Sequence, residues 1–417
     1  MHRRAFVRHG TLALLALGLP PDFLTRSLLA QTEGGAKKKT LICIFQRGAV
    51  DGLSMVTPFG EKSYYARRRS IAVPAPAANG GNLIDLDGFF GLHPALEPLH
   101  ELFRRSELGI LHAVGSPHPT RSHFDAQDFM ETATPGTRST RDGWLNRVLA
   151  HAADHAAGQT GMGAASLRGV AMGPALPRAL RGQHPALAIQ DLQRFGVAGG
   201  MEQQFEKAYH TETGTVIGSA ADGAFDALRI LRSANLAQYR PVSGVNYPQG
   251  QFGRSLSQIA QLIKSGVGVE IAFVDIGGWD THQAQGGSDG QLARRLREMA
   301  LGIRALYDDL GDRMEDVIVL TMSEFGRTVA ENGSGGTDHG HGSCMFVAGG
   351  AVNGGRILGE WPGLESEQLY QGRDLAVTTD FRDVFGEIAA RHLSATDLAA
   401  VFPGYRMDAS RWRRVLR

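Results

Sequence analysis

The sequence is poor in cysteine and has almost no excess of either charge. Cys43 and Cys344 are the two cysteines among 417 residues. Without a CxxC pattern they argue against a thiolate metal site, and we interpret both as small buried apolar residues. With 43 basic and 42 acidic side chains, the formal net charge is +1. No basic tract with interleaved aromatic residues follows the N-terminus, so a nucleic-acid partner is not expected.

Long apolar runs are also missing. The apolar stretch Leu12–Leu19 is too short to span a bilayer. It follows Arg3 and Arg4, and a small-residue segment follows it. This pattern is typical of a twin-arginine export signal. We therefore predict a signal peptide over residues 1–30, the twin-arginine export machinery as a partner, a periplasmic or extracellular location, and no stable membrane span in the mature chain.

Beyond a polar linker at 31–40, we predict one domain over residues 41–417. Its short continuous apolar runs are typical of strands buried on both faces. These runs are Leu41–Phe45, Leu108–Val114, Val269–Val274, Val317–Thr321 and Met345–Val347. Amphipathic helical patterns lie between and after them, at residues 93–105, 256–263, 292–310 and 380–392.

Strands that alternate with helices favour a mainly parallel sheet covered by helices on both faces. The fold class predicted here is therefore α/β, a three-layer α/β/α sandwich. Residues 135–250 show helical patches and glycine-rich joints, and we interpret them as a partly helical insertion or cap.

Acidic and imidazole side chains cluster just after the predicted strands. Asp280 and His282 lie in the turn GGWDTH, Asp338 and His339 lie in GTDHG, and Asp51 follows the first strand. In open α/β sheets, ligands bind beyond the carboxyl ends of the strands. Carboxylate oxygens and imidazole nitrogens from separate loops suit a divalent metal ion. Each residue alone could instead form a hydrogen-bonded turn.

Two further loops carry candidate catalytic groups. Glu324 follows a predicted strand in SEFGRT and could be a ligand or a base, while Arg327 could hold an anionic oxygen pair. The alternative is a Glu–Arg ion pair that closes the loop. Thr120 and Ser122 precede a predicted helix, where a hydroxyl could act as nucleophile or as a helix N-cap.

The motifs together resemble a known family. They are the twin-arginine leader, QRGAVDGLS, SHFDAQDFME, GGWDTH, SEFGRT, GTDHGHG and GGAVNGG. In this order they resemble the exported proteins of the domain-of-unknown-function 1501 family, which is related to the alkaline phosphatase and sulfatase superfamily. The resemblance implies an alkaline-phosphatase-like α/β/α fold and a site with one or two divalent ions (Zn, Mg, Mn or Ca).

The resemblance also implies roles for single residues. Asp51 stands at the first-strand aspartate ligand, and Thr120 or Ser122 stands in the region of the hydroxyl nucleophile. The Asp–His ligand pair corresponds to Asp280 and His282. The remaining ligand positions correspond to Glu324, Asp338 and His339. Pro117 replaces the cysteine or serine of the sulfatase signature, which argues against a formylglycine sulfatase.

Two functions follow as hypotheses. The first is an exported metal-dependent hydrolase of phosphate or related esters, in the class of phosphoric or sulfuric ester hydrolases. The second is a catalytically inactive exported binding or assembly protein that retains the fold. The fold alone does not fix the substrate.

Overall fold

The computed structural model describes residues 38–77, 82–152, 167–193, 227–232, 234, 236 and 239–417. Residues 39–417 form one compact unit. The predicted signal peptide, most of the predicted linker and part of the predicted insertion at 135–250 lie outside the described residues. The described part of the chain contains no helix with the length and apolarity needed to cross a membrane.

The strands of the main sheet are short segments distributed over the chain. They are β1 (Thr40–Arg47), β5 (Leu108–Gly115), β6 (Gly169–Ala171), β7 (Leu187–Ala188), β8 (Ile271–Gly277), β9 (Val317–Met322), β10 (Ser343–Ala348), β11 (Arg356–Leu358) and β12 (Thr379–Asp380). A small second sheet contains β2 (Val56–Thr57), β3 (Ile84–Asp85) and β4 (Gly91–Leu92).

The nine strands of the main sheet run in the order β11-β5-β10-β9-β1-β8-β6-β7, and β12 pairs with β5. Strand β1 lies between β8 and β9 and is parallel to both. Strand β10 is antiparallel to its two neighbours, β5 and β9. As a result, β1, β5, β8 and β9 end at the same edge of the sheet, and β10 begins there.

Helices cover both faces of this sheet. In chain order they are α1 (Gly52–Met55), α2 (Lys62–Arg67), α3 (Glu97–Arg104), α4 (His123–Thr132), α5 (Trp144–His151), α6 (Gln251–Ser265), α7 (Gln291–Leu310), α8 (Phe381–Arg391) and α9 (Leu398–Val401). One apolar core joins Ile42 and Ile44 of β1 to α3, α6 and α7. The other joins Leu41, Cys43 and Phe45 to α5, α8 and α9.

Alternate residues of β1 therefore enter opposite cores, because successive side chains of a strand point to opposite faces. The predicted α/β/α sandwich with a mainly parallel sheet is confirmed. The two cysteines are free and buried, and they lie in different cores.

The described residues between 135 and 250, where we expect a partly helical insertion, contain both helices and short strands. Strands β6 and β7 lie within this range, and they extend the main sheet beyond β8 with parallel pairing. Helix α5 packs in the core under the sheet, where Leu145 and Val148 are buried. These residues therefore form part of the sandwich. Strands of two or three residues are too short for the sequence pattern to predict them.

Candidate metal centre

Five loops meet at the edge of the sheet where β1, β5, β8 and β9 end and β10 begins. Glycines permit their close approach. A Cβ atom on Gly48, whose φ is +117°, would lie 2.8 Å from the amide nitrogen of Asp280. A Cβ atom on Gly340 would lie 2.3 Å from the carbonyl carbon of Arg327. The loops therefore pack backbone against backbone, which brings their polar side chains together.

Three imidazole rings from different loops face one another. His123 begins α4, His282 follows β8, and His339 precedes β10. The Nε2 atoms of His123 and His282 each lie 3.0 Å from the Nε2 atom of His339. The carboxylate of Asp280 joins them, with Oδ1 at 3.0 Å from His282 Nε2 and 3.3 Å from His339 Nε2.

The donor atoms are close enough to share one ion. Ligand atoms of His123, Asp280 and His339 all lie within 4.8 Å of one another. His282 contacts two members of this group, so it is a fourth candidate ligand. Imidazole nitrogens with one carboxylate oxygen form a ligand set typical of zinc and similar divalent ions.

Two of the rings have a carboxylate behind them. The Nδ1 atom of His123 lies 2.8 Å from Oε1 of Glu324, and the Nδ1 atom of His282 lies 3.0 Å from Oδ1 of Asp338. Both carboxyl groups have pKa values below their ordinary range. As ionised carboxylates they only accept hydrogen bonds, so each Nδ1 atom donates a proton to its partner.

The third ring is fixed in the same way by the backbone. His339 Nδ1 lies 2.9 Å from the carbonyl oxygen of Arg121, which is also only an acceptor. With a proton on every Nδ1 atom, neutral rings present their Nε2 lone pairs to one another. Lone pairs that face each other at 3.0 Å require a proton or a cation between them. Donation from the other ring nitrogen is the usual arrangement of metal-binding histidines.

Glu324 holds His123 by its Nδ1 atom, on the side of the ring that faces away from the other imidazoles. Its side chain is fully buried, and Oε1 accepts hydrogen bonds from Gln127, His123 and the Gly48 amide at 2.8 to 2.9 Å. Oε2 accepts from the Ser323 hydroxyl at 3.1 Å. Burial alone would raise the pKa of Glu324, but these hydrogen bonds lower it overall. Because its oxygens are occupied, Glu324 orients His123 through Nδ1 and does not bond to the Nε2 atoms as the expected ligand would.

Arg327 performs a similar task for Asp280. Its buried guanidinium donates from Nη2 to Asp280 Oδ1 at 2.5 Å. Burial would raise the pKa of Asp280, but the hydrogen bond and charge of Arg327 lower it overall. The other Arg327 donors bind carbonyl oxygens, namely those of Ala49, Thr337, Gly48 and Trp279. Arg327 is therefore a positioning residue, because its guanidinium is fully buried and all three of its nitrogens are bonded, which does not place it to hold the anionic oxygens that we expected.

The imidazoles differ in their affinity for protons. The hydrogen bond to Glu324 raises the pKa of His123, whereas burial lowers the pKa of His339. Among these two rings, His123 is protonated first as the pH falls. Since a metal ligand must be deprotonated, protons compete with an ion at this position.

The hydrogen-bond partners of Asp51 are residues outside this cluster. Both of its oxygens bind the guanidinium of Arg68, at 2.6 and 3.1 Å, and one also accepts from Ser54 and Gln285. Asp51 and Arg68 are fully buried. The expectation of a metal ligand here does not fit the structure, because a guanidinium already takes the place of the cation.

The expected hydroxyl nucleophiles are close in sequence to His123 but are not bonded to the imidazoles. The Thr120 hydroxyl accepts a hydrogen bond from the Ser122 amide at 3.3 Å. Ser122 is the exposed N-cap residue of α4 and makes no side-chain capping bond. Neither interpretation made from the sequence, nucleophile or capping side chain, is supported by a contact of Ser122.

The structure thus joins five expected residues into one cluster: Asp280, His282, Glu324, Asp338 and His339. Sequence reasoning missed His123 as a candidate ligand, together with the side chain of Gln127, which donates to Glu324. A signal was present, since the histidine in SHFDAQ directly follows a predicted N-cap beyond a buried strand. That position brings a side chain to the same edge as the other loops.

The fold and the cluster define an α/β protein with a candidate metal centre. A family model described as "Protein of unknown function (DUF1501)" matches residues 106–403, which include every residue of the cluster. The chain belongs to this DUF1501 family. No curated protein matches the chain.

Some solved structures share a limited likeness with the chain. A PsFucS1 sulfatase from Pseudoalteromonas sp. has a TM-score of 0.36 and 12% identity, covering 89% of this chain and 70% of that chain. The phosphonate monoester hydrolase of Agrobacterium radiobacter has a TM-score of 0.34 and 10% identity, covering 88% of this chain and 79% of its own. At this level, the likeness says nothing about activity.

Proposed function

We propose that the protein is a hydrolase of phosphate or related esters that depends on a divalent metal ion. The observation that carries the proposal is the meeting of three imidazole Nε2 atoms beside the Asp280 carboxylate, with every Nδ1 atom bound to an acceptor. Such rings are preorganised for an ion. Three imidazoles favour zinc over magnesium and calcium, which prefer oxygen ligands.

His123, Asp280 and His339 would hold the ion, and His282 would be the fourth ligand. A bound divalent ion lowers the pKa of water and polarises the oxygens of an ester. Glu324 and Asp338 fix the tautomers of the two rings in front of them, and Arg327 fixes Asp280. Because these supports are hydrogen-bonded in the folded chain, the ligands need little reorganisation.

The attacking group in this proposal is water. Among the described residues, neither Thr120 nor Ser122 donates a hydroxyl hydrogen bond to the cluster, and the Ser323 hydroxyl is buried between Gln46 and Glu324. A hydrolase without a covalent intermediate needs only a water molecule beside the ester and an acceptor for its proton. The ion would lower the pKa of that water, and its proton would leave to bulk solvent, because the ring nitrogens of His123 are engaged by Glu324 and by the ion.

A second candidate is an exported binding or assembly protein without activity. The Asp51–Arg68 pair favours it, because the Arg68 guanidinium binds Asp51 where the resemblance implies a metal ion. Export through the twin-arginine machinery is part of both proposals and rests on Arg3, Arg4 and the apolar segment after them.

The test combines metal analysis with turnover. Protein purified without chelator is expected to contain zinc near one equivalent and to hydrolyse chromogenic phosphomonoesters, phosphodiesters or sulfate esters. Asp280→Ala and His339→Ala should lose both metal and turnover. His151→Ala is the control, because His151 ends α5 outside the cluster. Metal without turnover on any ester would favour the second candidate, and absence of metal would remove the hydrolase proposal.

A further inference from the structure

Two arginines flank the ring of His339. The carbonyl oxygen of Arg121 accepts the hydrogen bond from His339 Nδ1, and Nη2 of Arg373 donates to the carbonyl oxygen of His339 at 2.6 Å. Their side chains are partly exposed, by 28% for Arg121 and 46% for Arg373. The backbone of Arg121 and the guanidinium of Arg373 therefore contact the candidate ligand His339, and both arginine side chains remain in contact with solvent.

The two arginines share a single counter-ion. Arg121 Nη2 lies 2.5 Å from Oδ2 of Asp374, and Arg373 Nε lies 2.9 Å from Oδ1 of the same carboxylate. Asp374 is fully buried. The other side-chain partner of Arg121 is the neutral Gln371. Two positive charges against one negative charge leave this pair of arginines with one uncompensated positive charge.

Each arginine also keeps an unused donor group. Arg121 binds through Nε and Nη2, and so does Arg373. Within the part of the chain that the structure describes, the Nη1 groups have no hydrogen-bond partner. Each Nη1 group carries two N–H donors, and charged guanidinium donors form strong hydrogen bonds with carboxylate, phosphate and sulfate oxygens. The anchored Nε and Nη2 atoms hold each group in place, which lowers the entropy lost on binding.

We infer that Arg121 and Arg373 bind a second anionic group of the substrate, beside the ester that is cleaved. The inference rests on the proposed function and narrows its substrate class. The substrate is an ester that carries a further carboxylate, phosphate or sulfate near the scissile bond. Arg327 does not serve this purpose, because its guanidinium is buried and bonded through all three nitrogens to Asp280 and to backbone carbonyls.

A purely structural role for the two arginines makes a different prediction. If they only hold the Asp374 loop against His339, their loss should weaken every ligand of the site to the same degree. If they bind a second anion, their loss should affect only ligands that carry one. A pair of probes that differ by a single carboxylate separates these roles.

The experiment compares methylphosphonate with phosphonoacetate by isothermal titration calorimetry on the zinc-loaded protein. The wild-type protein is expected to bind phosphonoacetate about tenfold more tightly, the order of one charge-assisted hydrogen bond. Arg373→Gln and Arg121→Gln should each reduce this preference while retaining the affinity for methylphosphonate. Arg373→Lys keeps the charge and the pairing with Asp374, and it should retain part of the preference.

Arg105→Gln is the matched control. Arg105 is also a partly exposed arginine in an ion pair, but it precedes β5 at the opposite edge of the sheet, and its loss should change neither affinity. Equal affinity of the wild-type protein for both probes would contradict this inference and leave the hydrolase proposal standing. Parallel weakening of both probes in Arg373→Gln would also overturn it. Failure of the wild-type protein to bind either probe would overturn both proposals.

Discussion

Glu324 shows how a single buried side chain can orient a candidate metal ligand, here His123. The carboxylate accepts hydrogen bonds from three side chains and one backbone amide, which keeps it ionised. Its hydrogen bond to His123 raises the pKa of that imidazole. The sequence showed a Glu after a buried strand and suggested a ligand, but it could not show which atoms would occupy its oxygens.

Replacing Glu324 by Gln tests this role. The variant keeps the shape of the side chain but loses the charge, so the pKa of His123 should fall. Metal affinity is expected to drop about 10- to 100-fold, the usual effect of changing a group that supports a ligand. Competition with a chromogenic chelator measures the affinity. Glu298→Gln on α7 is the control, and equal affinity of Glu324→Gln and wild-type protein would contradict the assigned role.

Asp51→Asn tests the finding that Asp51 is a structural residue. The change leaves the guanidinium of Arg68 buried without its counter-charge. We expect a loss of about 3–5 kcal/mol in the free energy of unfolding, as for other broken buried ion pairs. Urea unfolding measures it, and metal content of the folded fraction should be unchanged. Loss of metal at constant stability would instead make Asp51 a ligand.

The sequence predicts the long buried strands, but it does not predict the shortest strands or the contacts between loops. Runs such as LICIF and VIVLT are apolar throughout, because strands in the middle of the sandwich are buried on both faces, and they were predicted as β1 and β9. Strands β6 and β7 have only three and two residues, too few for a periodic pattern. The antiparallel direction of β10 depends on tertiary contacts. His123 was missed as a candidate ligand because it approaches the other imidazoles only when the loops meet.

The loop before β10 depends on a glycine at a close backbone approach. In Gly340→Ala, the new Cβ atom would lie 2.3 to 2.4 Å from the carbonyl group of Arg327, so the two loops must separate. We expect a weaker metal centre and a loss of stability of about 1–3 kcal/mol, the usual cost of overpacking. Gly333→Ala in the same loop is the control, since nothing lies within 4 Å of its Cβ position. Urea unfolding measures the stability, and metal titration measures the affinity. Equal stability and equal metal affinity of the two variants would contradict this account.

Two buried histidines outside the candidate metal centre, His112 and His392, should make the stability of the whole sandwich depend on pH. His112 stacks on Phe90 and donates from Nε2 to the carbonyl oxygen of Val56, while Nε2 of His392 donates to the carbonyl oxygen of Thr40. Burial lowers the pKa of each to about 4. In the unfolded chain these rings take up protons near pH 6.5, whereas in the folded protein they do so only near pH 4.

Stability should therefore be complete above about pH 6.5 and fall as the pH decreases towards 4, because the unfolded state binds more protons there. Each of the two rings is expected to account for about 3 kcal/mol of this loss. Urea unfolding between pH 7 and pH 4.5 with chelator present measures it without the metal. His112→Gln should lose part of the acid sensitivity, and a stability that does not change over this range would contradict the burial of neutral rings.

The central claim for the molecule is that imidazoles from distant segments converge on one cation. X-ray absorption spectroscopy of the zinc-loaded protein tests it most directly. The account predicts a shell of nitrogen and oxygen ligands with scattering from at least two imidazole rings, reduced in His123→Ala and in His339→Ala. A shell without imidazole, or one that both substitutions leave unchanged, would contradict it.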